Sequence, residues 1–354
     1  MIEDDLRAAF ARLEALTPPA GPVRAAIERA TVRRRRRRFR LRLGGTALAL
    51  VAAALAGFTA IAPEPPETAN LLGDSSPPPP AGALNVLLIG VDGDSARSAR
   101  FADSVLLVHV PADRSRLYLV SLPRYLEVIV PGRGKQRLNA AFSLGASGSR
   151  PDLDRGYRAT RDAVADALGV RVDAGGVLTY PMVRKFTDAV GGVQVCLPQR
   201  VRSTHTDRVF PAGCQRLDGT ASVDLLRQRT GLPDGVLDRD RNAERFAAGL
   251  LRRIDDRGGL TNPVVLDTLL RQLGSELVAD TGDLTLTELV SVAGKAADAE
   301  PVGVLPPGLH IEKKQGDVHF RLDPDLGPGF LSALRDDRLG EWTSAHPDQV
   351  TQLG

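Results

Sequence analysis

NVLLIGVDGD (Asn85–Asp94), RFADSVLLVHVPADRSRLYLVSLPR (Arg100–Arg124) and VPGRGKQRLN (Val130–Asn139) hold the stretch that decides the fold. Three short runs rich in Leu, Val and Ile are separated by polar breaks, which reads as buried β-strands. Asp92 follows the first run, Asp103 precedes the second, and the third stops at Pro123-Arg124. Charges at strand ends gather along one edge of a sheet, where open α/β folds place their ligands. Carboxylates beside arginines suit a divalent cation and a phosphorylated ligand.

Working outward, the strand candidates are Asn85–Gly90, Ser104–Val110, Leu117–Ser121, Val128–Val130 and Val193–Leu197. Helical patterns cover Asp154–Leu168, Pro181–Val190 with Gly191-Gly192 as a stop, Gly219–Arg227 and Arg239–Ile254. In the last of these, Phe246, Ala247, Leu250, Leu251 and Ile254 share one face. Residues 262–335 add two helical patterns, short strands near 302–305 and 318–322, and a final helix. Strands alternating with covering helices predict an α/β domain, a three-layer α/β/α arrangement with a mixed central sheet.

The 354 residues carry a formal charge of +3 that is unevenly spread. Residues 1–63 hold 12 of the 46 basic and 5 of the 43 acidic residues, so the remainder is slightly acidic. That argues against a broad nucleic-acid-binding surface. The basic residues of the tail include an unbroken run, Arg33–Arg38, followed by Arg40 and Arg42. Directly behind it, Leu43–Ala62 is free of charge over a length that spans a bilayer core at ~1.5 Å per residue. A signal peptide is the alternative, but its apolar region is usually only ~7–15 residues. Arginines on the N-terminal side place that side in the cytoplasm. The expected organisation is a cytoplasmic tail (1–42), one transmembrane helix (43–62), a Pro-rich linker (63–83), an extracytoplasmic domain (84–345) and a C-terminal tail (346–354). Cys196 and Cys214 both fall in the outer part, where an oxidising compartment favours a disulfide over two separate thiols.

The motifs NVLLIGVD, ADSVLLVHV, LYLVSLPR, VPGRGKQRLNAAFSLG, DAVGGVQVCLP, LDGTASVDLLRQRTGLPDG and LDRDRNAERF occur in this order. The set resembles the LytR-CpsA-Psr family of bacterial envelope proteins over roughly Asn85–Phe246. The resemblance implies a membrane-anchored phosphotransferase. Such an enzyme moves a glycopolymer from a polyprenyl-pyrophosphate carrier to peptidoglycan outside the cytoplasmic membrane, assisted by Mg²⁺ or Mn²⁺. It implies Asp92 and Asp103 near the metal, with Arg124, Arg227, Arg229 and Arg239 on the pyrophosphate and Arg124 and Asp103 in catalysis. Sheet-facing apolar residues, among them Phe142, are candidates for a lipid groove. The abundance of Arg over Lys points to a high-GC, actinobacterial source.

The chain also departs from the pattern. Tyr125 stands where the resemblance leads one to expect an aspartate, and a phenol with a pKa near ~10 is a poor base. Asp94 and Phe101 replace arginines, although Arg100 is adjacent and joins the phosphate-binding candidates, and Arg97 lies in the same loop. Asn242-Ala243-Glu244 replaces Arg-Gln-Gln, removing a polar contact at Ala243. Two readings follow: an active but divergent transferase, or a family member that binds the lipid without turnover. Lys135 and Arg137 steer phosphate or are merely solvated, and none of the five histidines has metal-ligand spacing.

Overall fold

The three apolar runs form β1 (Leu84–Val91), β2 (Ala102–Val110) and β3 (Tyr118–Leu122), paired antiparallel in chain order. All five residues of β3 are buried, the signature of a strand covered on both faces. The computed structural model describes residues 81–92, 101–148, 151–256, 278–285, 300–307, 310–314 and 317–354, with positions 268, 288, 291 and 292. The arginine run, the apolar stretch 43–62 and nearly all of the 63–83 linker lie outside these residues. Among the described residues no helix is long and apolar enough to cross a membrane.

Around β1–β3 the sheet grows to seven strands with β6 (Ala174–Thr179), β11 (Val278–Asp280), β12 (Val302–Val304) and β15 (Val350–Thr351). Their spatial order is β11-β6-β1-β2-β3-β12-β15, parallel at β6/β1 and β3/β12 and antiparallel elsewhere. The mixed sheet agrees with the expectation from sequence. The C-terminal residues differ from it, because β15 pairs with β12 and closes the sheet rather than trailing away.

Successive side chains of a strand point to opposite faces, so β1–β3 serve two layers. Leu87, Ile89, Val105, Leu107, Val120 and Leu122 pack on one side. The elements covering them are α1 (Leu138–Gly145), α2 (Leu153–Leu168), α6 (Gly327–Arg335) and α7 (Leu339–Ala345). Phe142 of α1 is fully buried here and packs on Gly156, where a Cβ would come within 2.8 Å of its ring. It is therefore a core residue on the closed face, not part of a lipid groove. Leu88, Leu106 and Leu119 face the other way, toward α5 (Val236–Asp255).

Beside α5 lie α3 (Tyr180–Ala189), α4 (Gly219–Arg227) and the hairpin of β7 (Val193–Leu197) with β10 (Gly213–Leu217). Gly249 lets α5 press onto β7, since a Cβ there would meet the Gln194 carbonyl oxygen at 2.1 Å. Cys196 and Cys214 stand opposite each other in this hairpin and form the disulfide. The remaining pairs are β4 (Glu127–Val130) with β5 (Gly134–Arg137), β8 (Val201–Arg202) with β9 (Val209–Phe210), and β13 (His310–Lys314) with β14 (Asp317–Arg321).

Candidate functional site

The site begins with an irregularity in the β1–β2 ladder. Gly90 pairs with Ser104, yet the next residue, Val91, pairs with Ala102, so Asp103 is an extra residue in β2. A bulge of this kind re-aims a side chain. Asp103 and Ser104, which strict alternation would send to opposite faces, both border one cavity.

Arg124 sits in a tight turn that several elements hold. The Leu126 amide donates to the Pro123 carbonyl at 2.8 Å, the Asn139 amide to the Arg124 carbonyl at 3.0 Å, and the Phe320 amide to the Tyr125 carbonyl at 2.8 Å. The Arg124 side chain is buried, and its Nη1 is ion-paired with Asp103 Oδ1. Burial lowers the affinity of this guanidinium for its proton, Asp103 opposes the shift, and Arg239 and Arg229 add to it. The second Asp103 oxygen accepts from the Tyr180 hydroxyl at 3.3 Å. Burial and the Asp103 charge push the Tyr180 phenol up, with Asp92 adding to the rise, so it remains a donor.

Arg227 and Arg229 are placed by the end of α4. The helix stops at Arg227 and Gln228 turns extended, φ −67° and ψ 130°. In extended backbone alternate residues share a side. Gln228 is completely buried, donating to Asp224 Oδ1 at 2.9 Å and accepting from the Thr204 amide at 2.8 Å. Its exposed neighbours Arg227 and Arg229 are left on the solvent side. The Arg227 guanidinium lies over the Tyr180 ring, 5.5 Å from its centroid.

Arg239, near the start of α5, is 3% exposed, and its Nη2 donates to Asp240 Oδ1 at 3.1 Å. Burial pushes the Asp240 carboxyl up to about 6 against the pull of Arg239. One turn further, burial pushes Glu244 up to about 8, with Asp240 adding to the rise. Ser121 donates its amide to Glu244 at 3.3 Å and its hydroxyl to the Asp240 carbonyl at 3.3 Å. The Nε–H groups of Arg124 and Arg239 are both buried without an acceptor in the protein. Buried donors are almost always satisfied, and a guanidinium suits an oxyanion.

Some of these groups border the polar end of a cavity of about 100 Å³. Its polar border is Asp103, Ser104, Tyr180 and Arg239, and its walls include Leu88, Leu178, Val183, Phe246 and Leu250. Ala243 is also on the wall, so the lost polar group leaves an apolar surface there. Asp103, Arg124 and Arg239 thus come together, Arg227 covers the Tyr180 ring, Arg229 is near enough to act on Arg124, and Asp92 is near enough to act on Tyr180. Arg100, like Asp94 and Arg97, falls outside the described residues. Lys135 pairs with Glu127 at 2.9 Å, whereas Arg137 lies over the Tyr125 ring at 5.7 Å. Sequence reasoning missed Tyr180, Gln228 and Asp240. The Thr-Tyr-Pro junction before α3 and the position of Gln228 between two arginines were the available signals.

The LytR_cpsA_psr family matches residues 64–305. Cell wall biosynthesis protein LcpA of Corynebacterium glutamicum is 30% identical over 253 residues, 60% of this chain and 48% of that protein. The chain therefore spans about half the length of this relative. The polyisoprenyl-teichoic acid–peptidoglycan teichoic acid transferase TagU of Enterococcus faecalis is 25% identical over 249 residues, 69% of this chain and 78% of that one. Among solved structures, the LytR-CPS2A-psr family protein YwtF (TagT) with bound octaprenyl pyrophosphate lipid shares the fold. Its TM-score is 0.54 at 18% identity, covering 72% of this chain and 90% of that one.

Proposed function

The chain belongs to the LytR-CpsA-Psr family, and on that premise we propose that it transfers a glycopolymer from a polyprenyl-pyrophosphate carrier to peptidoglycan. The observation that carries this reading is a pair of buried, acceptorless Nε–H donors: that of Arg239, on the polar end of an apolar cavity, and that of Arg124, which is ion-paired with Asp103 on the same border. The pyrophosphate supplies the missing oxygens, with Arg227 and Arg229 closing on it. The apolar walls at Leu178, Phe246 and Leu250 receive the first part of the prenyl chain, in keeping with the octaprenyl pyrophosphate held by the TagT relative.

An acceptor sugar hydroxyl attacks the phosphorus attached to the glycopolymer. The bond from that phosphorus to the bridging oxygen breaks, polyprenyl phosphate leaves with the electron pair, and the hydroxyl proton passes to Asp103. Arg124 stabilises the charge on the departing phosphate, a contribution worth ~10²–10³ in rate for a single well-placed donor. Mg²⁺ or Mn²⁺ fits the donor set, because Asp92 and Asp103 offer carboxylate oxygens and such ions complete their shell with phosphate oxygens. Among the described residues no cluster of three ligating side chains exists. When bound, the ion would neutralise pyrophosphate charge.

The domain works outside the cytoplasmic membrane, held there by residues 43–62 with the Arg33–Arg38 run on the cytoplasmic side. The Cys196–Cys214 disulfide suits that compartment. A second reading, binding without turnover, is favoured by Tyr125, since no carboxylate stands beside Arg124 on the turn. Full-length protein in detergent, given polyprenyl-pyrophosphate-linked glycan, peptidoglycan acceptor and Mg²⁺, separates the two. Release of polyprenyl phosphate that is lost in Arg124→Ala and Asp103→Ala supports the transferase. Tight binding of the lipid with no release supports the second reading, and no binding removes both.

A further inference from the structure

We infer that Tyr125 is a positioning residue whose ring gathers the guanidinium groups of Arg124 and Arg137 into one anion site. The inference rests on the pyrophosphate reading above and extends it to two residues on the β3–β4 and β5–α1 junctions. Arg124 lies 5.2 Å and Arg137 5.7 Å from the Tyr125 ring centroid. Both distances fall within the ~6 Å at which a cation is attracted to an aromatic face. The ring is itself held: Phe320 meets it edge-on at 5.9 Å with planes at 78°, and the Phe320 amide binds the Tyr125 carbonyl at 2.8 Å.

The chemistry differs from what an acid at this position would do. A carboxylate between two guanidinium groups would take up their N–H donors in paired hydrogen bonds and cancel one charge. A π face attracts them through its quadrupole and uses none of those donors. Arg137 ends β5 directly before α1, whose Asn139 amide binds the Arg124 carbonyl at 3.0 Å. The backbone therefore already brings the two arginines near each other, and the ring supplies an attraction that offsets their repulsion. Tyr125 in this way adds a guanidinium from a different part of the chain to Arg124, Arg227, Arg229 and Arg239.

The test is calorimetric titration of full-length protein in detergent with inorganic pyrophosphate at two salt concentrations. Tyr125→Phe keeps wild-type affinity, because the ring and not the hydroxyl acts. Tyr125→Leu weakens binding about fivefold, the scale of a partly desolvated cation–π contact, and lowers the salt dependence. Tyr125→Asp weakens it at least as much. The double variant Tyr125→Leu/Arg137→Ala loses well short of the product of the single effects, because Tyr125 acts in part through Arg137. Wild-type affinity in Tyr125→Leu, tighter binding in Tyr125→Asp, or fully multiplicative single effects would each overturn the inference while leaving the pyrophosphate site standing. Where Tyr125→Leu fails to fold, Arg137→Ala decides, and unchanged affinity there overturns it as well. Wild-type protein that binds no pyrophosphate removes both the site and this inference.

Discussion

The two faces of the central sheet are built from the same three strands and differ in almost every other respect. Toward α1 and α2 the side chains are apolar, large and closely packed, with Phe142, Tyr157, Leu107 and Leu122 among those fully buried. Toward α5 the strands meet Arg239, Asp240 and Glu244, all buried, together with Ser121 and a cavity. Burying charge costs free energy unless it is paired and hydrogen-bonded, and here the Nε–H groups of two buried guanidiniums, Arg124 and Arg239, remain without an acceptor. The closed face is arranged for stability, and the other face gives some stability up for a ligand.

The largest effect that would sharpen this contrast is on the closed face. Phe142→Ala should destabilise the fold by about 3–5 kcal/mol, as removal of a buried aromatic does, and thermal or urea unfolding measures it. Pyrophosphate affinity of the fraction that stays folded should be unchanged; a selective loss of binding would break the contrast. On the open face Arg124→Ala should cut turnover by ~10²–10³ with little change in melting temperature, and a large drop in melting temperature would recast Arg124 as structural.

Glu244 sets a pH test. Its carboxyl is pushed up to about 8 in the fold, from an ordinary 4.5. The folded state therefore binds more protons than the unfolded chain between those values, and the stability from protonated Glu244 is fully present below about 4.5. It is lost as pH rises toward about 8 and levels off above. Glu244→Gln should flatten the decline of the urea midpoint between pH 5 and 8, and an unchanged profile would place the titration elsewhere. The smallest effect is expected for Tyr180→Phe, which removes one hydrogen bond to Asp103. A loss of about tenfold in turnover, the lower end of what a hydrogen bond to a charged group is worth (~1.5 kcal/mol), should come with unchanged pyrophosphate affinity. Equal losses in both would mean that Tyr180 acts on the ligand directly.

Much of this architecture was legible. The strands β1–β3 and the helices α2, α3 and α5 follow from runs and periods, and Gly191-Gly192 ends α3 with φ of +79° and +86°. α1 and β6 were missed for different reasons. LNAAFSLG is short and reads as a loop continuing a Gly-rich turn, and AGGVLT contains two glycines that weaken a strand signal. Gly175 is in fact required, because a Cβ there would meet the Leu87 carbonyl oxygen at 2.2 Å. β15 was invisible because two residues pair only when β12 is already in place.

The site divides the same way. Sequence by itself determined which residue types were present and near which strand ends: Asp103, Arg124, the Arg227–Arg229 pair and Arg239, in motifs that name the family. Those are local facts, carried by order and spacing along the chain. Only the tertiary structure decided that a bulge turns Asp103 toward Arg124, that a buried Gln228 sends its two neighbours outward, and that Phe142 belongs to the closed face. It also put Arg124 and Arg137 both against the Tyr125 ring. Each of these depends on groups far apart in sequence sharing one small volume, where burial, charge and register act together, and no local pattern records that.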